Sequence, residues 1–189
     1  HIALGGAKGR ANQVCTAIGR DQLKHYDERC AKIREAMNYF WDQLEGLPGI
    51  RPIRVDESTG SNMAGWYCPP GIYHPEELGG LSAKRFCEAI RAEGVDSCCE
   101  GGNYCLHTHA FFKDFDLFNA GKPTRIAFND RDVRIEDEKC LPSEEIQCFQ
   151  IPWFKHFDKE WIDQYVAAFR KVASCYAELL EADSKKQGG

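Results

Sequence analysis

Residues 14–47 read VCTAIGRDQLKHYDERCAKIREAMNYFWDQLEGL, and this stretch decides the fold. Its apolar residues recur at steps of mostly three and four, which is the spacing of one face of an α-helix. Asn12 is a suitable N-cap, and the segment from Gly46 to Pro48 stops the pattern. The sequence therefore predicts one amphipathic helix over 13–47, about 50 Å long at 1.5 Å per residue. A helix of that length is expected to pack against something beyond its own small core.

Strand signals follow this helix. Residues 50–55 alternate apolar and basic side chains in the period of a half-exposed strand. Two extended pieces are predicted in 64–73, where Pro69 and Pro70 favour an edge position because proline cannot donate to a central ladder.

Two further helices and an irregular segment complete the chain. Ser82 is predicted to cap a helix that Gly94 closes, with an extended piece over 95–99 and an aromatic, loop-like stretch from 100 to 142. Asp158 begins a final helix that carries a long apolar stripe. This order predicts an α+β fold, with a small antiparallel or mixed sheet and helices on one face.

The composition is that of an ordinary globular domain. The 189 residues are 43% hydrophobic and 28% charged, with a net charge of −5. No basic stripe follows any predicted face, so neither a nucleic acid nor an anionic membrane is an expected partner. The sequence also has no apolar run of the length that spans a bilayer.

Ten cysteines are scattered along the chain without a C-x-x-C pair. Several occupy helical positions where a small apolar residue would serve, and no secretory signal precedes them. We expect reduced thiols and a cytoplasmic protein, and a disulfide framework is the alternative.

Two groups of residues are candidates for chemistry. The glycine-rich arm from Gly5 to Arg10 leads into a helix N-terminus, a setting that favours phosphate, although a flexible terminus gives the same pattern. In the second group, Cys105, His107 and His109 would share one face of an extended segment, with Cys99 as a possible fourth zinc ligand. The neighbouring aromatic residues fit a substrate-facing wall or plain packing equally well.

Residues 6–23, GAKGRANQVCTAIGRDQL, resemble the segment G-[YF]-N-Y-R-M-[ST]-x-L-x-A-A-I-G-x-x-Q-L of sugar aminotransferases of the DegT, DnrJ and StrS type. The resemblance continues downstream in the family's order, through its helix and P-G turn, its small-domain helix, its Y-P-L-H segment and its L-P-x-F terminal helix. The corresponding stretches are 26–50, 75–95, 103–112 and 151–172. The residues of the first segment that match in register are Gly6, Arg10, Ala17, Ile18, Gly19, Gln22 and Leu23.

The resemblance implies the small C-terminal domain of an aspartate-aminotransferase-like fold. It divides the chain into an arm over 1–12, a domain over 13–183 that includes an interdomain helix at 13–47, and a frayed tail at 184–189. It also implies pyridoxal phosphate as cofactor, a keto-sugar substrate that is usually nucleotide-linked, a large N-terminal domain upstream, and a homodimer.

The resemblance assigns roles to six residues. Cofactor binding falls on Lys8, Arg10 and Asn12, with Lys8 and Gly9 standing where the family has asparagine and tyrosine. In the family, the lysine that holds the cofactor covalently lies upstream of Gly6, so this chain alone is expected to be inactive. Substrate contacts fall on Tyr104, His107 and His109.

Two other functions are open alternatives. One is a stand-alone, non-catalytic binding or assembly module with the same fold. The other is a metal-binding domain that uses Cys99, Cys105, His107 and His109.

Overall fold

The structure is a computed structural model, and it describes residues 12–67, 70–101, 110, 114–128 and 147–187. The described residues fall into two compact units. The larger unit comprises 12–67, 70–101 and 147–187, and the smaller one comprises 110 and 114–128.

An antiparallel sheet with the order β1-β2-β4-β3 organises the larger unit. Its strands are β1 (Ile50–Pro52), β2 (Pro70–Tyr73), β3 (Cys99–Glu100) and β4 (Gln147–Gln150). The helices of this unit are α1 (Gln13–Leu23), α2 (Tyr26–Gln43), α3 (Ala83–Ala92), α4 (Lys159–Ser174) and α5 (Tyr176–Gln187), with short 3₁₀ turns at Glu57–Thr59 and Pro75–Leu78.

The core lies between α2, α3, α4 and one face of the sheet. Phe149 of β4 is fully buried and contacts Phe86 of α3 and Phe169 of α4, with ring centroids 6.1 and 6.2 Å apart. Phe40 of α2 joins the cluster through Phe169, at 5.4 Å. Such offset and edge-to-face aromatic contacts add to the free energy gained by burying the rings. The predicted α+β class, with helices packed on one face of a small sheet, is confirmed.

Local capping signals are placed as predicted. The Ser82 hydroxyl accepts a hydrogen bond from the Arg85 backbone N–H at 3.2 Å, at the start of α3. Gly94 follows the end of α3 with φ of 96°, a left-handed conformation that favours glycine. The Asp158 carboxylate accepts from the backbone N–H of Trp161 at 3.1 Å and opens α4. Each cap satisfies backbone groups that a helix end leaves unpaired.

The single helix expected over 13–47 is wrong, because α1 ends at Leu23 and α2 begins at Tyr26. At the break the Lys24 and His25 backbone N–H groups bond to carbonyls three residues earlier, at 3.2 and 3.1 Å. Helix α1 has no buried residue, whereas α2 is anchored in the core. Helix α1 therefore has no buried side chain that would hold it in line with α2.

Other element boundaries also differ from the prediction. The final helix is divided at Cys175 into α4 and α5, and α5 continues to Gln187, beyond the predicted start of the tail at 184. Strand β1 stops at Pro52, since proline has no N–H to extend the ladder. Of the extended piece predicted at 95–99, only Cys99 lies in a strand, the two-residue β3 (Cys99–Glu100).

The edge position predicted for the proline-containing strand is wrong, because β2 lies between β1 and β4. Pro70 is the first residue of β2, paired with Gln150. A proline at that position costs the ladder a hydrogen bond only at its end.

Residues 114–128 of the smaller unit form turns and a 3₁₀ helix at Thr124–Ile126, which agrees with the irregular segment expected there. The Asp116 carboxylate accepts from the backbone N–H groups of Ala120 and Gly121, at 2.9 and 2.7 Å. The Thr124 hydroxyl accepts from the backbone N–H of Leu117 at 2.6 Å. These bonds satisfy backbone donors that the turns leave free.

In the part of the chain that the structure describes, every helix is too short or too polar to cross a bilayer.

Candidate functional site

The predicted cofactor region meets the described part of the chain at Asn12, at the N-terminus of α1. Asn12 is exposed, and its side-chain oxygen accepts from the Val14 backbone N–H at 2.8 Å, which confirms it as the N-cap. The first turn contains no acidic residue. The positive end of the helix dipole is therefore uncompensated by a carboxylate in that turn, and this end suits an anion such as a phosphate. The Asn12 amide nitrogen can also donate, because the capping bond uses only the oxygen.

Four large apolar side chains of α1 and the start of α2 are exposed to solvent. They are Val14, Ile18, Leu23 and Tyr26, whose exposed fractions lie between 52% and 70%. We call these four residues the α1 apolar surface. Farther along the same sequence pattern the apolar residues are buried in the core, among them Phe40 at 0% and Trp41 at 2%. The apolar residues of this one sequence pattern are therefore exposed in its first half, in α1, and buried in its second half, in α2.

Most of the predicted site residues lie outside the described part of the chain. These are Lys8 and Arg10 of the cofactor set, and Tyr104, His107 and His109 of the substrate set. Their roles remain predictions.

The zinc hypothesis is tested at one position only. Cys99 is half-buried and lies in β3, whereas Cys105, His107 and His109 lie outside the described residues. Within the described ranges, no three His, Cys, Asp or Glu side chains are grouped in a way that could hold a metal ion.

Two cysteines serve as core residues. Cys87 and Cys98 are fully buried. Their hydrogen bond, together with burial, raises the pKa of the Cys98 thiol. Cys98 therefore stays protonated and packs as a small apolar residue.

A cavity of about 460 Å³ lies between the start of α2 and the segment that precedes α4. The sequence did not predict this cavity, because more than a hundred residues separate its two walls. Each wall by itself has the polar composition of an ordinary exposed segment. The nitrogen-bearing lining residues of the cavity are His25, Arg29, Lys32, Lys155 and His156. Glu28 and Ile33 complete the lining.

The fold is an α+β domain whose first helix has an open, anion-compatible N-terminus. The sequence model of the DegT/DnrJ/EryC1/StrS aminotransferase family matches residues 2–120, which is more than half of the chain. The chain therefore belongs to this aminotransferase family. A search of curated proteins gave no match.

Proposed function

We propose that this chain is the C-terminal part of a pyridoxal-phosphate-dependent sugar aminotransferase and completes the active site of a larger dimeric enzyme. The observation that carries the proposal is α1, an 11-residue helix without a buried residue. It lies within the family-like segment 6–23, directly after the residues assigned to the cofactor. A helix stable in a protein ordinarily buries an apolar face. A large N-terminal domain and a second subunit are the partners that would cover this one.

The described residues at this site are compatible with a cofactor phosphate. The open N-terminus of α1 and the Asn12 amide would accept the phosphate, and Lys8 and Arg10 would supply its countercharges. When bound, pyridoxal phosphate supplies the electron sink that amino-group transfer requires. The part of this chain is to bind and orient that phosphate, with the covalent lysine contributed upstream.

The finer assignments belong to the same proposal. We propose an aspartate-aminotransferase-like small domain over 13–183, preceded by the arm at 1–12 and followed by the tail at 184–189. Tyr104, His107 and His109 would face a keto sugar, usually nucleotide-linked, and the enzyme would be a cytoplasmic homodimer.

The second candidate is a non-catalytic module with this fold. It is supported by the self-contained core of the larger unit, in which the sheet and three helices already bury a continuous aromatic cluster. Such a core would allow the domain to fold without the rest of an enzyme.

The test uses the complete reading frame that contains this chain, including any coding sequence upstream of residue 1. We expect the purified product to bind pyridoxal phosphate stoichiometrically and to transfer an amino group to a nucleotide-linked keto sugar. A product that binds no cofactor would favour the module instead. The chain of 189 residues, treated with pyridoxal phosphate and borohydride, should show no single stoichiometrically labelled lysine, and one defined labelled lysine would contradict the proposal.

Asn12 offers a sharper variant of this test. Asp and Ser both cap helices well, so Asn12→Asp and Asn12→Ser should preserve α1. Only Asp adds a negative charge beside the phosphate. We expect Asn12→Asp to weaken cofactor affinity in the complete protein about tenfold or more, and Asn12→Ser by about twofold. Equal affinities in the two variants would remove Asn12 from the cofactor site.

A further inference from the structure

The cavity between α2 and the segment before α4 is positively charged in an acidic protein. Arg29, Lys32 and Lys155 supply three cations, and Glu28 is the one carboxylate of the lining. The local charge is therefore +2, whereas that of the whole chain is −5. Like charges gathered in a concave site raise the local concentration of oppositely charged ligands.

The Glu28 carboxylate does not neutralise the positive charge of the cavity. The Glu28 carboxylate lies 2.6 Å from the Lys32 ammonium, one helical turn away, and this bond lowers the pKa of Glu28. Glu28 thus stays ionised and orients Lys32. Arg29 also attracts the Glu28 carboxylate, although less than Lys32 does, and Lys155 lines the opposite wall of the cavity.

Two of the cations are held in place by neighbouring groups. The Arg29 guanidinium donates to the side-chain oxygen of Gln22. The Lys155 ammonium lies over the ring of Trp153, whose indole N–H donates to the Gly65 carbonyl at 2.9 Å. Groups fixed before binding lose less conformational entropy when a ligand arrives.

An anion in the cavity would also favour the charged form of Lys155. Burial lowers the pKa of its amine, because part of the water that stabilises the ammonium is excluded. An anionic ligand would replace that lost hydration. The Trp153 ring supplies only a partial substitute through its π face.

We propose that this cavity binds a phosphate-bearing anion of about the size of a diphosphate. Cations on two separate walls suit a ligand with several charged oxygens better than a single carboxylate. The volume of about 460 Å³ is within the range of small-molecule sites. His25 and His156 add ring nitrogens that can hydrogen-bond to the same oxygens. The inference rests on this cavity alone and does not depend on the proposed aminotransferase function.

The experiment is calorimetric titration of the 189-residue chain with inorganic pyrophosphate and, separately, with uridine diphosphate. We expect saturable binding that weakens with added salt, because the attraction is largely electrostatic. Similar affinities would identify the diphosphate group as the ligand. Tighter binding of uridine diphosphate than of pyrophosphate would show that the base and sugar make additional contacts. Absence of binding by both at millimolar concentration would overturn the proposal.

A matched pair of lysines separates the cavity from general surface charge. Lys32 and Lys171 are both exposed helical lysines paired with a glutamate, at 2.6 and 2.7 Å, but only Lys32 lines the cavity. We expect Lys32→Ala to weaken pyrophosphate binding about fivefold and Lys171→Ala to leave it unchanged. Adding Lys155→Ala to Lys32→Ala should abolish binding. An equal effect of the Lys171 and Lys32 variants would refute the site, and thermal unfolding would verify that each variant is folded.

Discussion

Gly71 is the position at which one methyl group should disturb the core most. It lies in the interior strand β2, opposite Phe149 of β4. A Cβ at Gly71 would lie 2.6 and 2.7 Å from two ring carbons of Phe149 and 2.9 Å from a ring carbon of Trp41. Because comfortable carbon contacts begin at about 3.5 Å, the Phe149 ring would have to withdraw by about 0.9 Å and the Trp41 ring by about 0.6 Å.

Neither ring has free space in which to move, since Phe149 and Trp41 are 0% and 2% exposed. Gly71→Ala should therefore cost about 1 to 3 kcal/mol of unfolding free energy, which is the usual range for overpacking a core. In urea this corresponds to a midpoint lower by about 1 M for a slope of about 2 kcal/mol per M. Tryptophan fluorescence during unfolding is the assay.

Gly19 is the matched control for this substitution. It lies in α1, and a Cβ there would meet no atom within 4 Å. Gly19→Ala should stabilise the helix by about 0.5 to 1 kcal/mol, because alanine loses less backbone entropy on folding. The packing argument would be refuted if Gly71→Ala were as stable as the parent, or if the two substitutions changed stability in the same direction.

Three other predictions follow from described contacts. Tyr73→Phe removes the buried hydroxyl that donates to the Leu81 carbonyl at 2.8 Å, and it should cost about 1 to 2 kcal/mol in the same assay. Glu77 accepts from the Gly49 backbone N–H at 2.7 Å, which lowers the pKa of this carboxyl. The bond should therefore stabilise the fold above pH about 4.5 and be lost as the pH falls further, a dependence that Glu77→Gln should reduce in unfolding curves. Ile18→Lys, in the α1 apolar surface, should weaken self-association of the 189-residue chain about tenfold in sedimentation experiments.

Each of these predictions has its own control. Tyr67 is 88% exposed, so Tyr67→Phe should change stability by less than about 0.5 kcal/mol. Glu35→Gln, at an exposed position of α2, should leave the acid dependence of stability unchanged. Gln13→Lys adds the same charge to α1 away from Ile18 and should not alter association. A strictly monomeric parent at high concentration would contradict the last prediction.

Local chemistry explains which parts of the fold were predictable. Ser82, Gly94 and Asp158 mark helix ends through bonds and conformations that each residue type favours by itself, so the sequence alone locates them. The breaks after Leu23 and at Cys175 contain neither glycine nor proline. The break after Leu23 separates an exposed part of the apolar pattern from a buried part, and periodicity does not report that difference. The break at Cys175 has no such explanation, because Tyr176, Leu179 and Leu180 also pack against the core.

The position of β2 and the cavity were not predicted because both depend on residues that are distant in the sequence. Whether β2 is an edge or an interior strand depends on β4, which arrives more than seventy residues later. The cavity likewise unites Arg29 with Lys155, two residues whose own neighbourhoods give no signal. Asn12 is the cofactor residue that lies among the described residues, and its N-cap role was predictable because capping is as local there as at Ser82.

Among the described residues, the sheet ends in two very short outer strands. Strand β1 has three residues and finishes at Pro52, and β3 has two. Outer strands this brief offer little backbone for another chain to pair with, which protects against open-ended polymerisation. Assemblies of this protein should therefore close at a small, countable number of copies through their helices rather than lengthen into fibres.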